Sequence, residues 1–447
     1  MAASVGYQSL RINGSRLMRS IHATCEFGKA HAYGVQPTET GMDRLSLNDD
    51  DKKVRDWLAN EAKAIGCAVT VDQMGNMFIV REGKHSHSNM APVMMGSHLD
   101  TQPTGGRYDG ILGVMAGLEV LRTLHEANYQ TQGPVGLVNW TNEEGARFPL
   151  VTVASSVWAG LTPLETAWQC TEVTPPADGA TGPQTMKQEL QRIGYLGTVA
   201  ASYEAMPIAA HFELHIEQGP ILEREDLKIG IVTGSQACCW YDVEVRGRDS
   251  HAGTTPLGAR KDALLAAAKM IAAANGIARS ENGLITTGRL RALPGSVNTI
   301  AHTVQFSLDV RHPCDAVVDR MVASCRSTFE AIAKDDAELG VDVQWTTLAT
   351  NAAVHFDKDC IRAIEGAVQA ENDQLDQPRP WMHMTSGATH DSCNVSRRCP
   401  TAMIFTPTKD GLSHTPVEFC KPEDCVLGAQ VLLGAVVRYD AARAAIV

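Results

Sequence analysis

No Cys-x-x-Cys pair occurs in these 447 residues, which argues against a cysteine zinc knuckle. The twelve cysteines that are present have no disulfide logic for a chain of this length. Cys238-Cys239 and the scattered Cys67, Cys170, Cys325 and Cys360 read as small buried hydrophobes in a reducing compartment. Positive charge is also scarce. A formal net charge of -12 argues against a nucleic-acid surface and leads us to expect a cytoplasmic protein. No apolar run approaches the roughly 20 residues needed to cross a bilayer, so no membrane partner is expected. Internal repeats and long low-complexity tracts are missing too. What remains is ordinary for a globular enzyme, with 44% hydrophobic and 20% charged residues, and long enough for two domains. The first 22 residues hold Arg11, Arg16 and Arg19 and no acid, a bias also found in transit peptides. Ser15 to Ala30 reads better as an amphipathic first helix with Leu17, Ile21 and Phe27 on its apolar side. The run Asp49-Asp50-Asp51-Lys52-Lys53 reads as a solvated helix start.

Several short apolar runs end at residues able to do chemistry. Pro92 to Met95 leads into His98, Val135 to Trp140 into Glu143-Glu144, and Ala209 to Leu214 into His215. Ala402 to Phe405 is followed after a short loop by His414. Such runs suit buried strands of a mainly parallel sheet, separated by helices such as Gly113 to Glu126. Reactive groups of open α/β sheets gather beyond the carboxyl ends of the strands, which is where these residues fall. The middle of the chain is different. Tyr241, Val243 and Val245 alternate with polar residues, as do Val304, Phe306, Leu308 and Val310. With helices over Lys261 to Ala274 and Asp315 to Lys334, and a further strand at Val341 to Trp345, this is an inserted α+β domain. The expected division is a discontinuous catalytic domain, 1–232 and 352–447, around an insertion at 233–351. The fold class is therefore α/β with an α+β insert.

Three imidazoles and two carboxylates, His98, His215, His414, Asp109 and Glu144, form a natural ligand set for two borderline metal ions. Asp109, eleven residues after His98 and bordered by glycine, is the best bridge, because one carboxylate can offer an oxygen to each of two ions. Asp100 lies on the same side of an extended segment as His98 and is placed to orient it. Glu143 stays free of metal. Water shared by two ions loses proton affinity, and Glu143 would take its proton and pass it to a leaving nitrogen. Taken singly each histidine reads as a structural residue; the set, at strand ends and among glycines, reads as a dinuclear hydrolase. The donors suit zinc first, then manganese, cobalt or nickel. Ser250 to Pro256, Arg311 and Thr385 to Asp391 are a polar turn, a solvated strand residue and a connector on their own evidence.

The motifs Gly96-Ser97-His98-Leu99-Asp100-Thr101, Asn142-Glu143-Glu144-Gly145-Ala146-Arg147-Phe148, Glu213 to Pro220 and Ser250 to Pro256 resemble the hydantoinase/carbamoylase branch of the aminoacylase-type metallopeptidases. That branch holds N-carbamoyl-L-amino-acid hydrolases, allantoate amidohydrolases and fungal-type β-ureidopropionases. Gly105 to Gly110 and Lys409 to His414 are most similar to the last of these. The resemblance implies a two-metal catalytic domain and a lid domain that also forms a homodimer. It implies the same five ligands, with Glu143 as base. His251 then corresponds to a lid histidine that reaches the neighbouring subunit and steadies the oxyanion. Gln218, Asn298 and Arg311, with Gly387 and Ala388, correspond to positions that hold a small substrate's amide and carboxylate. The planar fork of arginine suits the carboxylate. The implied reaction is cleavage of the carbamoyl C–N bond of an N-carbamoyl amino acid such as β-ureidopropionate; N-acyl amino acids, small peptides, allantoate or a pathway-specific amide are the alternative. Thr389, Ala301-His302 and the Cys238-Cys239 pair depart from the usual pattern. None is a ligand, so they bear on the pocket wall.

Overall fold

The computed structural model describes residues 9–85, 90–174, 182–334 and 340–444. The chain divides into two compact units, Met1–Gly234 with His355–Val447, and Ser235–Val354. In the first, strands Val93–His98, Val135–Trp140, Ala210–Ile216 and Thr401–Thr406 are buried along their whole length. They run parallel in the spatial order Thr401–Thr406, Ala210–Ile216, Val93–His98, Val135–Trp140. Burial on both faces is why each reads as a nearly unbroken apolar run.

The sheet as a whole is mixed. Met77–Arg81 adds antiparallel to Val135–Trp140, with Ala68–Val71 beyond it, and Ile229–Ser235 adds antiparallel to Thr401–Thr406. Helix Ile111–Glu126 lies against the central strands and is buried on all sides from Ile111 to Leu124. Helix Pro422–Ala444 packs on it. By length and composition this last helix is apolar enough to cross a bilayer, but most of it is buried inside the fold, which makes it a core helix.

Two expectations are corrected here. The first helix spans Gly14–Thr24 and does not continue to Ala30; Lys29–Ala32 is a strand paired with Thr40–Met42. Buried Arg44 donates to the carbonyls of Thr24 and Phe27 at 2.7 and 2.8 Å, so carbonyls at this end are held by a tertiary partner, where a longer helix would have used them itself. The charged run does open a helix, Asp49–Ala64, with Asn48 capping it through Asp51 N–H. Asp51, however, is fully buried. Its carboxylate accepts from Leu47 N–H at 2.7 Å and from buried Arg55 at 2.9 Å.

The second unit is an antiparallel sheet in the order Leu284–Thr286, Thr303–His312, Ala237–Arg246, Asp342–Asn351, with Leu290–Leu293 also on Thr303–His312. The residues that alternate in the sequence, Tyr241, Val243, Val245, Val304, Phe306, Leu308 and Val310, form the buried face. Helices Ala263–Ser280 and Asp315–Ala333 cover it. Phe329 stacks on Trp345 with ring centroids 5.3 Å apart. Asp262 caps the first helix by accepting from Leu264 and Leu265 N–H.

Candidate metal centre and active site

The strand ends deliver His98 and His215, and the loops that follow deliver Asp109, Glu144 and His414, to one cluster in which the first four are buried and His414 is exposed. The two oxygens of Asp109 face different partners. Oδ1 stands 3.4 Å from His98 Nε2 and 3.1 Å from His215 Nε2, while Oδ2 stands 3.4 Å from His414 Nε2. His414 Nε2 is also 3.4 Å from Glu144 Oε2. His98, Asp109 and His215 thus make one group able to hold an ion, and Asp109, Glu144 and His414 make a second. Gly110 makes the approach possible. Its φ is +65°, and a Cβ there would stand 2.4 Å from the His98 ring.

Each ring is set to present Nε2. His98 Nδ1 lies 2.9 Å from the Asp100 carbonyl and His215 Nδ1 lies 2.9 Å from the Ile216 carbonyl, contacts that fix Nδ1 as donor and leave Nε2 with its lone pair. Buried His215 Nε2 makes no hydrogen bond despite its carboxylate neighbour. A ring nitrogen left orphaned beside a carboxylate oxygen fits a cation at that place. The charges agree. Burial alone would raise Asp109, but His215, His414 and His98 hold it well below the usual carboxylate range. His414 is pushed up to about 9, chiefly by its contact with Asp109. Burial pushes Glu144 up to about 7, with Asp109 adding to the rise and His98 and His414 opposing it.

Asp100 orients His98, and it does so through the main chain. Its main-chain carbonyl orients His98, while its carboxylate oxygens accept from Glu143 and Glu144 N–H at 3.3 and 3.2 Å. The turn carrying both glutamates is therefore anchored to the segment carrying His98. Glu143 is buried, with Oε2 3.7 Å from His98 Nε2. Burial is the largest influence on it, opposed by His98 and reinforced by Asp391, Glu144 and Asp109, and the result lies well above the ordinary glutamate value. Asn142, Gln218 and His414 have positive φ values of 57°, 58° and 56°. Such strain concentrates at functional sites, where surrounding structure over-determines the backbone.

Gln218 joins the cluster, donating to Asp109 Oδ2 at 2.7 Å and to Ser413 Oγ at 3.2 Å. Gly387 and Ala388 follow strand Trp381–Ser386, and Ser386 Oγ accepts from Ala388 N–H. Sequence reasoning missed Gln102, whose Nε2 donates to Glu144 Oε2 at 2.8 Å, and missed Glu418 and Ser413 beside Asp109. It also missed Glu213, His390 and Asp391. A Glu213, His215 and His390 grouping resembles an ion site, but both Glu213 oxygens are taken by the hydroxyls of Ser97 and Ser392, at 2.8 and 2.6 Å. His390 Nε2 faces Ser386. That grouping is a hydrogen-bonded wall behind His215. The available signal was the period-2 placement of His211, Glu213 and His215 on one face of a strand.

In the second unit, strand Ser250–His251 pairs with Thr299–Ile300, and Ala252 N–H donates to the Asn298 carbonyl, so His251 and Asn298 are brought together. Exposed His251 accepts from Gly253 N–H at 3.1 Å. Arg311 is half-buried and not merely solvated. It grips Asp309, two residues earlier on the same strand face, through Nε at 2.9 Å and a second nitrogen at 2.8 Å, which raises its already high pKa.

Residues 94–438 match the model of peptidase family M20/M25/M40. The chain belongs to this family. Its hydrolytic chemistry is directed at amide-type carbon–nitrogen bonds, and family membership implies a pair of divalent ions, for which the two residue groups around Asp109 are fit. An N-carbamoyl-L-amino-acid amidohydrolase of Rhizobium meliloti is 36% identical over 96% of this chain and 97% of its own length. The crystal structure of a hydantoinase/carbamoylase family amidase from Burkholderia multivorans superposes with a TM-score of 0.86 at 41% identity, covering 96% of this chain and 98% of that one. A ureidoglycolate hydrolase of rice is 31% identical over 97% of this chain and 86% of its own length.

Proposed function

We propose that the chain hydrolyses the carbamoyl C–N bond of an N-carbamoyl amino acid such as β-ureidopropionate, yielding the amino acid, ammonia and carbon dioxide. The observation that carries this reading is the division of labour around Asp109. Five residues point donors at two places, and one buried carboxylate, Glu143, stands beside them outside both groups. The Rhizobium relative's activity supports the carbamoyl substrate. His98, His215 and one Asp109 oxygen would hold one divalent ion, and Glu144, His414 and the other oxygen a second, zinc being the first choice for these donors and manganese, cobalt or nickel the alternatives. The chemistry supplied by such a pair when bound is polarisation of the substrate carbonyl and acidification of the attacking water. Glu143 takes the proton from that water and returns it to the leaving nitrogen. Its burial beside His98, outside both ligand groups, keeps that shuttle at the site. Gln218 and Asn298 hold the amide, Gly387 and Ala388 line the substrate, and Arg311 pairs with its carboxylate, its fork set in advance by Asp309. His251 steadies the oxyanion across a homodimer formed through the 235–354 unit. All twelve cysteines are free, which suits a reducing cytoplasmic compartment.

The rice relative favours one second reading, a ureidoglycolate substrate, with allantoate, the alternative implied by the sequence resemblance, beside it. Ammonia release from the metal-loaded protein with β-ureidopropionate, N-carbamoyl-L-amino acids, allantoate, ureidoglycolate and N-acetyl amino acids decides between them. We expect kcat/KM for a carbamoyl amino acid to exceed that for the N-acetyl amino acids by at least about tenfold, the range one well-matched polar contact provides. A larger kcat/KM with allantoate or ureidoglycolate would establish the second reading, and one with an N-acetyl amino acid would refute both.

A further inference from the structure

Glu418 is buried, lies four residues beyond His414, and has no part in the ligand set or the proton transfer described above. Its Oε1 accepts from two successive main-chain N–H groups, Tyr108 at 2.9 Å and Asp109 at 3.0 Å. Its Oε2 accepts from the Ser413 hydroxyl at 2.7 Å. Ser413 Oγ is also 3.0 Å from Asp109 Oδ2, the oxygen that faces His414. One carboxylate thus ties together two loops separated by about 300 residues of chain. The first presents the bridging Asp109, and the second presents Ser413 and His414. Space is reserved for it. A Cβ on Gly106 would stand 2.3 Å from the Glu418 side chain, so glycine at 106 is what admits the carboxylate. A second buried acid held beside Asp109 is costly in isolation, and a site that gathers positive charge between these loops offsets that cost.

We propose that Glu418 is a positioning residue of the metal centre, locking the Asp109 loop to the Ser413-His414 loop so that Asp109 Oδ2 and His414 Nε2 are set for the second ion. The proposal rests on the ligand reading given above and adds a residue to it. It is tested by titrating metal-free protein with Zn2+ calorimetrically and with Co2+ by visible absorption, in wild type, Glu418→Gln, Glu418→Ala, Ser413→Ala, Asp109→Ala and Asp440→Ala. Asp440 is the control, because its carboxylate also accepts from two successive N–H groups, Gln132 and Gly133, in a different part of the unit.

Glu418→Ala should weaken uptake of the second ion by about 10–100-fold and alter the Co2+ spectrum, the scale of effect seen when partners behind metal ligands are removed. Glu418→Gln, which keeps an acceptor for both N–H groups, should recover most of that loss, and Ser413→Ala should shift in the same direction by less. Asp440→Ala should lower the melting temperature and leave both titrations unchanged. Should Glu418→Ala prove insoluble, Ser413→Ala, which removes the hydroxyl between Glu418 and Asp109, carries the comparison. Titrations of Glu418→Ala, or of Ser413→Ala in its place, that match wild type, or a loss in Asp440→Ala as large as in those variants, would overturn the positioning role. If Asp109→Ala still takes up two ions with native affinity, it is the ligand reading that fails.

Discussion

Glu143 and Glu144 are neighbours with opposite surroundings. Glu144 is pinned by Gln102 and faces His414, whereas among the described residues the Glu143 side chain has only His98 within ion-pair range. A carboxylate left this free can swing a proton between two partners; one pinned by a donor and facing a ligand cannot. Glu143→Gln keeps the volume and the main-chain bonds to Asp100 and Thr152 but abolishes the proton shuttle. Turnover should fall by about 10²–10⁴-fold while two ions per chain remain bound, measured by ammonia release and by elemental analysis of the same sample. Near-native turnover would remove Glu143 from the mechanism. At this scale the sequence conveyed residue type and proximity to a strand end, which was enough for the ligand set to be named. It could not distinguish the carbonyl of Asp100 from its carboxylate, because that choice is made by where Glu143 and Glu144 N–H arrive from 43 and 44 residues away.

Among the elements, the four parallel strands were legible because burial on both faces leaves them apolar and each ends at a polar site residue. The antiparallel additions Met77–Arg81 and Ile229–Ser235 were not, being short runs with no chemistry at their ends. Strand Ala210–Ile216 was read as simply apolar, yet His211, Glu213 and His215 share one buried face opposite Phe212, Leu214 and Ile216. Its pattern is satisfied by hydroxyls from Ser97 and Ser392, which no local window reveals. This polar face has a measurable consequence. Burial lowers His211 to about 3, against about 6.5 in an unfolded chain. A base with a depressed native pKa is neutral when folded and takes up a proton when unfolded, so its contribution is intact above pH 6.5 and is lost as pH falls toward 3. The loss amounts to several kcal/mol at the acid end, on the order of 1.4 kcal/mol per unit. Chelator-treated wild type should therefore lose denaturant stability between pH 6.5 and 4 more steeply than His211→Leu, since every other titrating group is common to both. Parallel pH curves for the two proteins would show that His211 does not titrate in this way.

For the molecule as a whole, the proposed chemistry is split between units. All five proposed ligands and Glu143 belong to Met1–Gly234 with His355–Val447, whereas His251, Asn298 and Arg311 belong to Ser235–Val354. A lid unit can supply groups that stabilise an oxyanion and exclude water only when it closes over substrate, and in a homodimer the lid of one subunit can serve the other. That arrangement makes a prediction no single-chain site makes. His251→Ala and Glu143→Gln homodimers should each be nearly inactive. Unfolded together, refolded and separated by distinct affinity tags, the mixed dimer contains one site that pairs an intact Glu143 with an intact His251 from the other chain. Its second site carries both lesions. Activity should therefore recover to about half of the wild-type value per dimer, because one of two sites is whole. If His251 serves its own subunit, each site in the mixed dimer carries one lesion and the purified heterodimer stays as inactive as its parents. Activity per dimer, set against tag-verified composition, tells these two arrangements apart.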